Sequence, residues 1–337
     1  MVPAGASGAD GLMLDPFNVG TVWLGVEGKG LYKSTDCGAP GSWTLVSTGS
    51  NGSAMAAGAM FSMAIDFQTP GVIYTTSNEG NRGVWKSTNA GVDWKQLFPP
   101  TSPFAQTVQY NLANGIAMDA KNAQHLIVST HAQCQAPYTP VCVAETSDGG
   151  TTWKIISVAP PGTNWTDWKA GAGVFILPST TGQSTFLFAT YSDGLWLTKD
   201  DGATWKDVTP AGTTGATGGK TLIRPFAPAA DGTYYLTSLH GVLKSPDGMT
   251  WSLIENSGGM AFSFAIGGGH LFAANQWSMD YSMASEASNK LWSSITPPNA
   301  PPYLGFVEGG VYLSYDAVHH VLYSSNWNGG AWRMVMP

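Results

Sequence analysis

His131, Tyr191 and His240 could each move a proton, and they fall at matching places in successive repeats of this sequence. Each falls six or seven residues after the start of a β-branched or aromatic run. A neutral imidazole gives or takes a proton near neutral pH, since its unperturbed pKa is ~6.5. Matching positions in the other repeats hold Glu27, Ser77 with Asn78, Gln276 with Trp277, and Asn326 with Trp327. Arg82 and Arg224 add fixed positive charges able to clamp a carboxylate. Glu27, Glu79, Asp193 and Asp167 supply carboxylates. Once indoles with evident packing positions are set aside, Trp165, Trp168, Trp277 and Trp327 remain, and an exposed indole suits the apolar face of a sugar ring.

Two chemistries fit such an inventory. Eliminative cleavage of a uronic-acid glycan needs a base for the C5 proton (His131 or His240), an acid for the leaving oxygen (Tyr191), and a donor at the sugar carboxylate (Arg224 or Arg82). Hydrolysis needs two carboxyl groups facing each other across the glycosidic bond. A binding surface with no turnover would use the same polar and aromatic groups.

The elements that must position these residues are announced by a phrase that recurs along the chain. It reads Thr146-Ser-Asp148-Gly-Gly150-Thr-Thr152-Trp153 and Thr198-Lys-Asp200-Asp-Gly202-Ala-Thr204-Trp205. Looser copies run from Ser87 to Trp94 and from Ser245 to Trp251, and one with an insertion runs from Ser34 to Trp43. With Trp292, these tryptophans recur about every 50 residues, the length of one four-stranded propeller blade. Around each copy lie short runs of strand composition separated by glycine turns. An inner strand A ends at an acid (Asp15, Asp66, Asp119), and B is β-branched and aromatic (Val72 to Thr76). C reads Gly-apolar-aromatic-Lys (Gly83 to Lys86), and D opens at the tryptophan. The phrase itself is a C–D turn in which Asp caps backbone amides, Gly takes a positive φ, and Trp packs on the blade.

The motif resembles the Asp-box (BNR) repeat of sialidases, sortilins and two-propeller xyloglucan hydrolases, and the resemblance spans nearly the whole chain. It implies an all-β, seven-bladed β-propeller with Asp-box turns on the face away from the ligand. The expectation is one domain, 1–337, with blades near 10–48, 58–99, 108–158, 163–209, 217–255, 258–296 and 303–337. Ring closure is the open point, because the seventh blade lacks a fourth strand unless residues 1–9 supply it. The B–C and D–A loops then share the ligand face, which gathers the residues named above around one funnel. His125, His270, His319 and His320 fall on the other face as structural groups, and Asp15, Asp66, Asp119 and Asp316 as turn formers.

Composition narrows the partners. Charged residues make up only 11% of the chain, so solubility rests on neutral polar groups, as in many secreted carbohydrate-active proteins. The net charge of −7 disfavours nucleic acid, because phosphate binding needs a Lys/Arg surplus. No run of about 18 apolar residues suggests a membrane helix. Met1-Val-Pro shows no leader pattern, and the chain reads as a mature secreted or periplasmic sequence. Cys134 and Cys142 are expected to form a disulfide, leaving Cys37 free. The cysteines show no zinc spacing, so no metal site is expected. No cofactor is expected either, although the sequence leaves room for a structural or substrate-bridging calcium ion. Asn51-Gly-Ser53 and Asn164-Trp-Thr166 are glycosylation sequons.

Sialidases resembling this fold use three arginines around a carboxylate, and Ile223-Arg224-Pro225 is a scrambled, late version of their Arg-Ile-Pro motif. Xyloglucan hydrolases use a cleft between two propellers, and one is present here. The sequence reading therefore ranks a lyase acting on an acidic glycan first. The alternatives are a glycoside hydrolase with a carboxylate pair on the same face, and a monomeric propeller that only binds glycan or protein.

Overall fold

Seven antiparallel sheets, each a simple meander, make up the molecule. The computed structural model describes residues 8–77, 83–97, 113–130, 132–163, 171–179, 181–190, 194–210, 229, 231–238, 240–257, 261–275, 281–288, 291–295, 310–326 and 330–336. Blade 1 is β1 (Ala9–Leu14), β2 (Val22–Val26), β3 (Gly30–Ser34) and β4 (Thr44–Leu45), and a short helix α1 (Gly52–Ala56) follows it. Blade 2 is β5 (Met60–Ile65), β6 (Ile73–Ser77), β7 (Gly83–Ser87) and β8 (Lys95–Gln96). Blade 3 is β9 (Ala113–Asp119), β10 (Asn122–Thr130), β11 (Cys142–Thr146) and β12 (Lys154–Ser157). Blade 4 is β13 (Gly171–Leu177), β14 (Thr185–Thr190), β15 (Leu195–Thr198) and β16 (Lys206–Asp207). Blade 5 shows β17 (Tyr234–Ser238), β18 (Gly241–Ser245) and β19 (Ser252–Leu253) among the described residues. Blade 6 is β20 (Ala261–Gly267), β21 (His270–Asn275), β22 (Tyr281–Ser285) and β23 (Ser293–Ile295). Blade 7 shows β24 (Gly310–Asp316), β25 (Val321–Asn326) and β26 (Gly330–Val335).

The core lies between blades. Trp23, Leu31, Met60, Ile73, Trp85 and Trp94 fill the space between blades 1 and 2. Phe175, Leu187, Leu197, Tyr234, Leu236 and Trp251 do the same between blades 4 and 5. The B strands are buried on both faces (β2, β6, β14 and β25 throughout), so they read as continuous apolar and small-polar runs, not as alternations.

The recurring turn is held by one hydrogen-bond scheme. In blade 3 the Thr146 hydroxyl accepts from the Gly150 amide at 2.9 Å, and Asp148 accepts from the Thr151 and Thr152 amides at 2.9 Å each. Trp153 Nε1 donates to the Gly150 carbonyl at 3.1 Å. Asp200 and Asp247 repeat the amide caps in blades 4 and 5. Gly150 takes φ 90°, and a Cβ there would lie 2.6 Å from Leu97 Cδ1 of the preceding blade. The equivalent Gly91, Gly202 and Gly248 press in the same way on Leu31, Ile156 and Leu177. The second glycine is therefore a docking point between blades as well as a turn residue.

Three expectations change on the structure. The D strands start one residue after the tryptophan, and most are two residues long. Of the N-terminal segment left open for the seventh blade, Ala9 instead begins β1, the inner strand of blade 1, pairing with Val26, and residues 1–7 lie outside the described residues. Among the described residues nothing pairs with the outer edge of β26. The ring closes by packing Ala9, Leu12, Val22 and Leu24 against Val321 and Tyr323.

Candidate functional site

All six described inner strands break register at the end where the chain enters from a D–A connection, and β9 breaks it a second time at its far end. The breaks at the entry end lie between Ala9 and Leu12, Met60 and Ser62, Ala113 and Ile116, Gly171 and Gly173, Ala261 and Ser263, and Gly310 and Tyr312. Each gives the inner strand one residue more than its partner, which is a β-bulge. Bulges re-aim a side chain and terminate pairing, and they are enriched beside active sites. A ring of them at one level marks the mouth that the B–C tips surround. The sequence reading missed these bulges. They add Asp10 and Asn114 to the mouth by backbone position, and they place Phe61 there, whose carbonyl accepts from the Tyr312 hydroxyl of blade 7 at 2.9 Å.

At that mouth Glu27 is half-exposed, at the tip that turns β2 into β3. Its amide donates to the Gly8 carbonyl at 3.2 Å, which ties the tip to the start of the inner strand. Glu27 and Asp10 therefore share the same end of the same blade. His240 sits in a two-residue turn, since Ser238 pairs directly with Gly241. Its amide donates to Ser238 Oγ at 3.1 Å, and its Nε2 is buried without a hydrogen-bond partner among the described residues.

The Cys134–Cys142 disulfide forms, with a Cα–Cα distance of 6.0 Å, and both cysteines are buried. The loop it closes is further tied by the Cys134 amide to Pro140 O at 2.9 Å and the Thr139 amide to Ser157 Oγ at 3.2 Å.

Asn326 lies at the mouth end of β25, opposite Gly310, with its side chain fully buried. Its amide nitrogen donates to Gly330 O at 3.3 Å, and its carbonyl oxygen accepts from the Tyr281 hydroxyl at 3.3 Å. The chain turning into β26 and the neighbouring blade use up its polar atoms, so it fastens blade 7 to blade 6. The sequon at Asn51 is also committed, because its Nδ2 donates to Trp94 O at 2.9 Å. His131, Tyr191, Arg82, Arg224, Gln276, Trp277, Trp327, Trp165, Trp168, Glu79, Asp193 and Asp167 lie outside the described residues.

The opposite face is occupied by turn chemistry. Asp15, Asp66, Asp119 and Asp316 each accept from amides two or three residues on. His125 lies between two carboxylates, with Nδ1 3.0 Å from Asp119 and Nε2 2.8 Å from Glu145. Burial lowers its pKa, but the bonds to Glu145 and Asp119 outweigh that and leave it raised. Glu145 also accepts from the Ser184 hydroxyl of blade 4, so the histidine anchors a contact between blades.

No family model matches the chain. A xyloglucanase of Hypocrea jecorina (strain QM6a) is 26% identical over 224 residues, covering 60% of this chain and 26% of that protein. The fold is similar to the Niastella koreensis GH74 enzyme, with TM-score 0.68 and 15% identity over 98% of this chain and 53% of that one. It is also similar to the GH74 xyloglucanase from Xanthomonas campestris, with TM-score 0.65, 17% identity, and 98% and 52% coverage. YCF48 from Cyanidioschyzon merolae gives TM-score 0.57 and 11% identity over 100% of this chain and 98% of that one. The chain thus spans about a quarter of the curated relative and about half of the GH74 structures. It is a seven-bladed β-propeller with GH74 enzymes among its structural neighbours.

Proposed function

We propose that this chain is a secreted, carbohydrate-active propeller that hydrolyses a glycan of the xyloglucan type, with the substrate lying across the bulged mouth. The sequence likeness to a xyloglucanase carries this reading and favours hydrolysis over the lyase chemistry ranked first from sequence. The carboxylates of that face supply the reaction. One protonates the glycosidic oxygen as the C–O bond breaks, and a second takes the proton of the water that attacks the anomeric carbon. Asp10 and Glu27 of blade 1 are the candidates from the described strands, with Glu79 and Asp193 as further members of the set. Trp165, Trp168, Trp277 and Trp327 stack on sugar rings, Gln276, Arg82 and Arg224 hold hydroxyls or side-chain acids, and His131, Tyr191 and His240 orient the chain of sugars.

The test is reducing-sugar release from xyloglucan and from a panel of acidic polysaccharides, read beside the ultraviolet absorbance of an unsaturated uronate. Hydrolysis gives new reducing ends without that absorbance, and Glu27→Gln or Asp10→Asn should lower kcat about 100-fold. Absorbance growing with each cut would restore the lyase reading. Tight glycan binding with no cleavage would make the chain a binding module.

A further inference from the structure

Where blade 7 meets blade 1, on the face opposite the mouth, three metal-binding side chains converge. The donor atoms of Cys37, Asp316 and His319 all lie within 4.8 Å of one another. Cys37 comes from the β3–β4 turn of blade 1, and Asp316 and His319 from the β24–β25 turn of blade 7. His319 Nδ1 is 2.8 Å from Asp316 Oδ2. Asp316 is 5% exposed and accepts from the Val318 and His319 amides at 2.9 and 3.1 Å.

Further features shape the place. Cys37 holds the left-handed backbone of the recurring turn, φ 45°, as Ala90 and Asp201 do at the same position in blades 2 and 4. Its amide donates to Gly20 O at 2.8 Å, and its carbonyl accepts from Arg333 Nη1 at 2.8 Å, so the thiol is fixed from both sides. Gly20 keeps the space open, because a Cβ there would lie 3.1 Å from His319 Cε1 and 3.2 Å from Cys37 Sγ. Tyr323, 1% exposed, packs against the turn that carries Cys37, its Cε1 3.3 Å from the Cβ position of Gly38.

We propose that Cys37, Asp316 and His319 form a binding site for a zinc-class divalent cation that staples blade 7 to blade 1. One thiolate, one imidazole and one carboxylate suit such an ion, with a fourth position left to water. The ion takes the place of the proton between His319 Nδ1 and Asp316 Oδ2. The imidazole proton then resides on Nε2, and the Cys37 thiol proton leaves to solvent. Arg333 offsets part of the negative charge that the thiolate brings. The seam gains a crosslink beside β26, whose outer edge no strand pairs with among the described residues. Because the site is remote from the mouth, its test needs no enzymatic assay and does not depend on the hydrolytic reading.

The full chain, stripped with a chelator and held under a non-coordinating reductant, is titrated with Zn²⁺ alone and with Co²⁺ as reporter. Wild type should take up one ion, show a thiolate-to-cobalt charge-transfer band and gain several degrees in Tm, as linkage requires of an ion that binds the folded state. Cys37→Ser should abolish the band. His319→Gln and Asp316→Asn should weaken uptake roughly tenfold to a hundredfold, and His320→Gln should leave it unchanged. His319 is 42% exposed, so His319→Gln folds even if Cys37→Ser does not, and it decides the matter. A wild type without the band overturns the proposal. So does a band that survives in both His319→Gln and Asp316→Asn, which would reveal a lone thiol.

Discussion

Each ring nitrogen of His125 meets a carboxylate, and the raised pKa gives that arrangement a direction in pH. The stability it adds is fully present below about pH 6.5 and is lost as pH rises through the raised folded value. We expect the urea midpoint of wild type to fall as the solution is made alkaline, and His125→Gln to remove that part of the slope. Parallel profiles for the two proteins would contradict it. The turn aspartates act in the opposite sense. Hydrogen bonds from Thr152 hold Asp148 at about 2, those from Thr250 hold Asp247 at about 2, and those from Thr204 lower Asp200. Their contribution is present above about pH 3.9 and is lost as pH falls toward the folded values. In calorimetry the acid drop in Tm should be shallower for the triple Asn variant, with the two curves converging at the acid end. Asn326 shows what residue-level reading misses: a polar residue at a loop position looked available, and only the partners from Gly330 and Tyr281 reveal it as internal.

At the scale of the element, the glycine of each turn docks against an aliphatic side chain of the blade before it. Gly150→Ala and Gly248→Ala should each lose about 1–3 kcal/mol from overpacking, on top of the backbone strain. Gly28 also has a positive φ, 66°, but nothing lies within 4 Å of its Cβ position. Gly28→Ala should therefore cost only the left-handed strain, about 1–2 kcal/mol. Denaturant midpoints of the three variants separate docking from conformation, and equal losses would refute the docking role. Replacing Cys134 and Cys142 by Ser should cost about 2–3 kcal/mol, the loop-closure value for so short a span. The strands and turns were legible because period, β-branched runs and acid-to-tryptophan spacing all point the same way. The helix Gly52–Ala56 was not. It is a single turn started by Asn51 at φ 58°, and its stability comes from burying Met55 and Ala56, which no local pattern announces.

For the molecule as a whole, sequence order conceals what ring closure brings together. Arg333 reaches Cys37 across a separation of 296 residues. Spacing rules for metal ligands operate within a motif, so they pass over Cys37, Asp316 and His319. The strands flanking each B–C tip were legible from the repeat, but the bulges beside the tips were not, because one extra residue in a strand leaves no compositional mark. Tyr312, reaching Phe61 O across the inner strand of blade 1, belongs to the same class. Tyr312→Phe should lower Tm by about 1–2 degrees, for a loss of about 1 kcal/mol.

The two-residue outer strands carry a further implication. A foreign β-segment recruits onto a sheet through a long row of unpaired amides and carbonyls, and these rims offer it only a couple of rungs. Blades 1, 2, 4 and 5 should therefore resist edge-to-edge association, and the six-residue β26, unpaired on its outer side among the described residues, is the margin where it would begin.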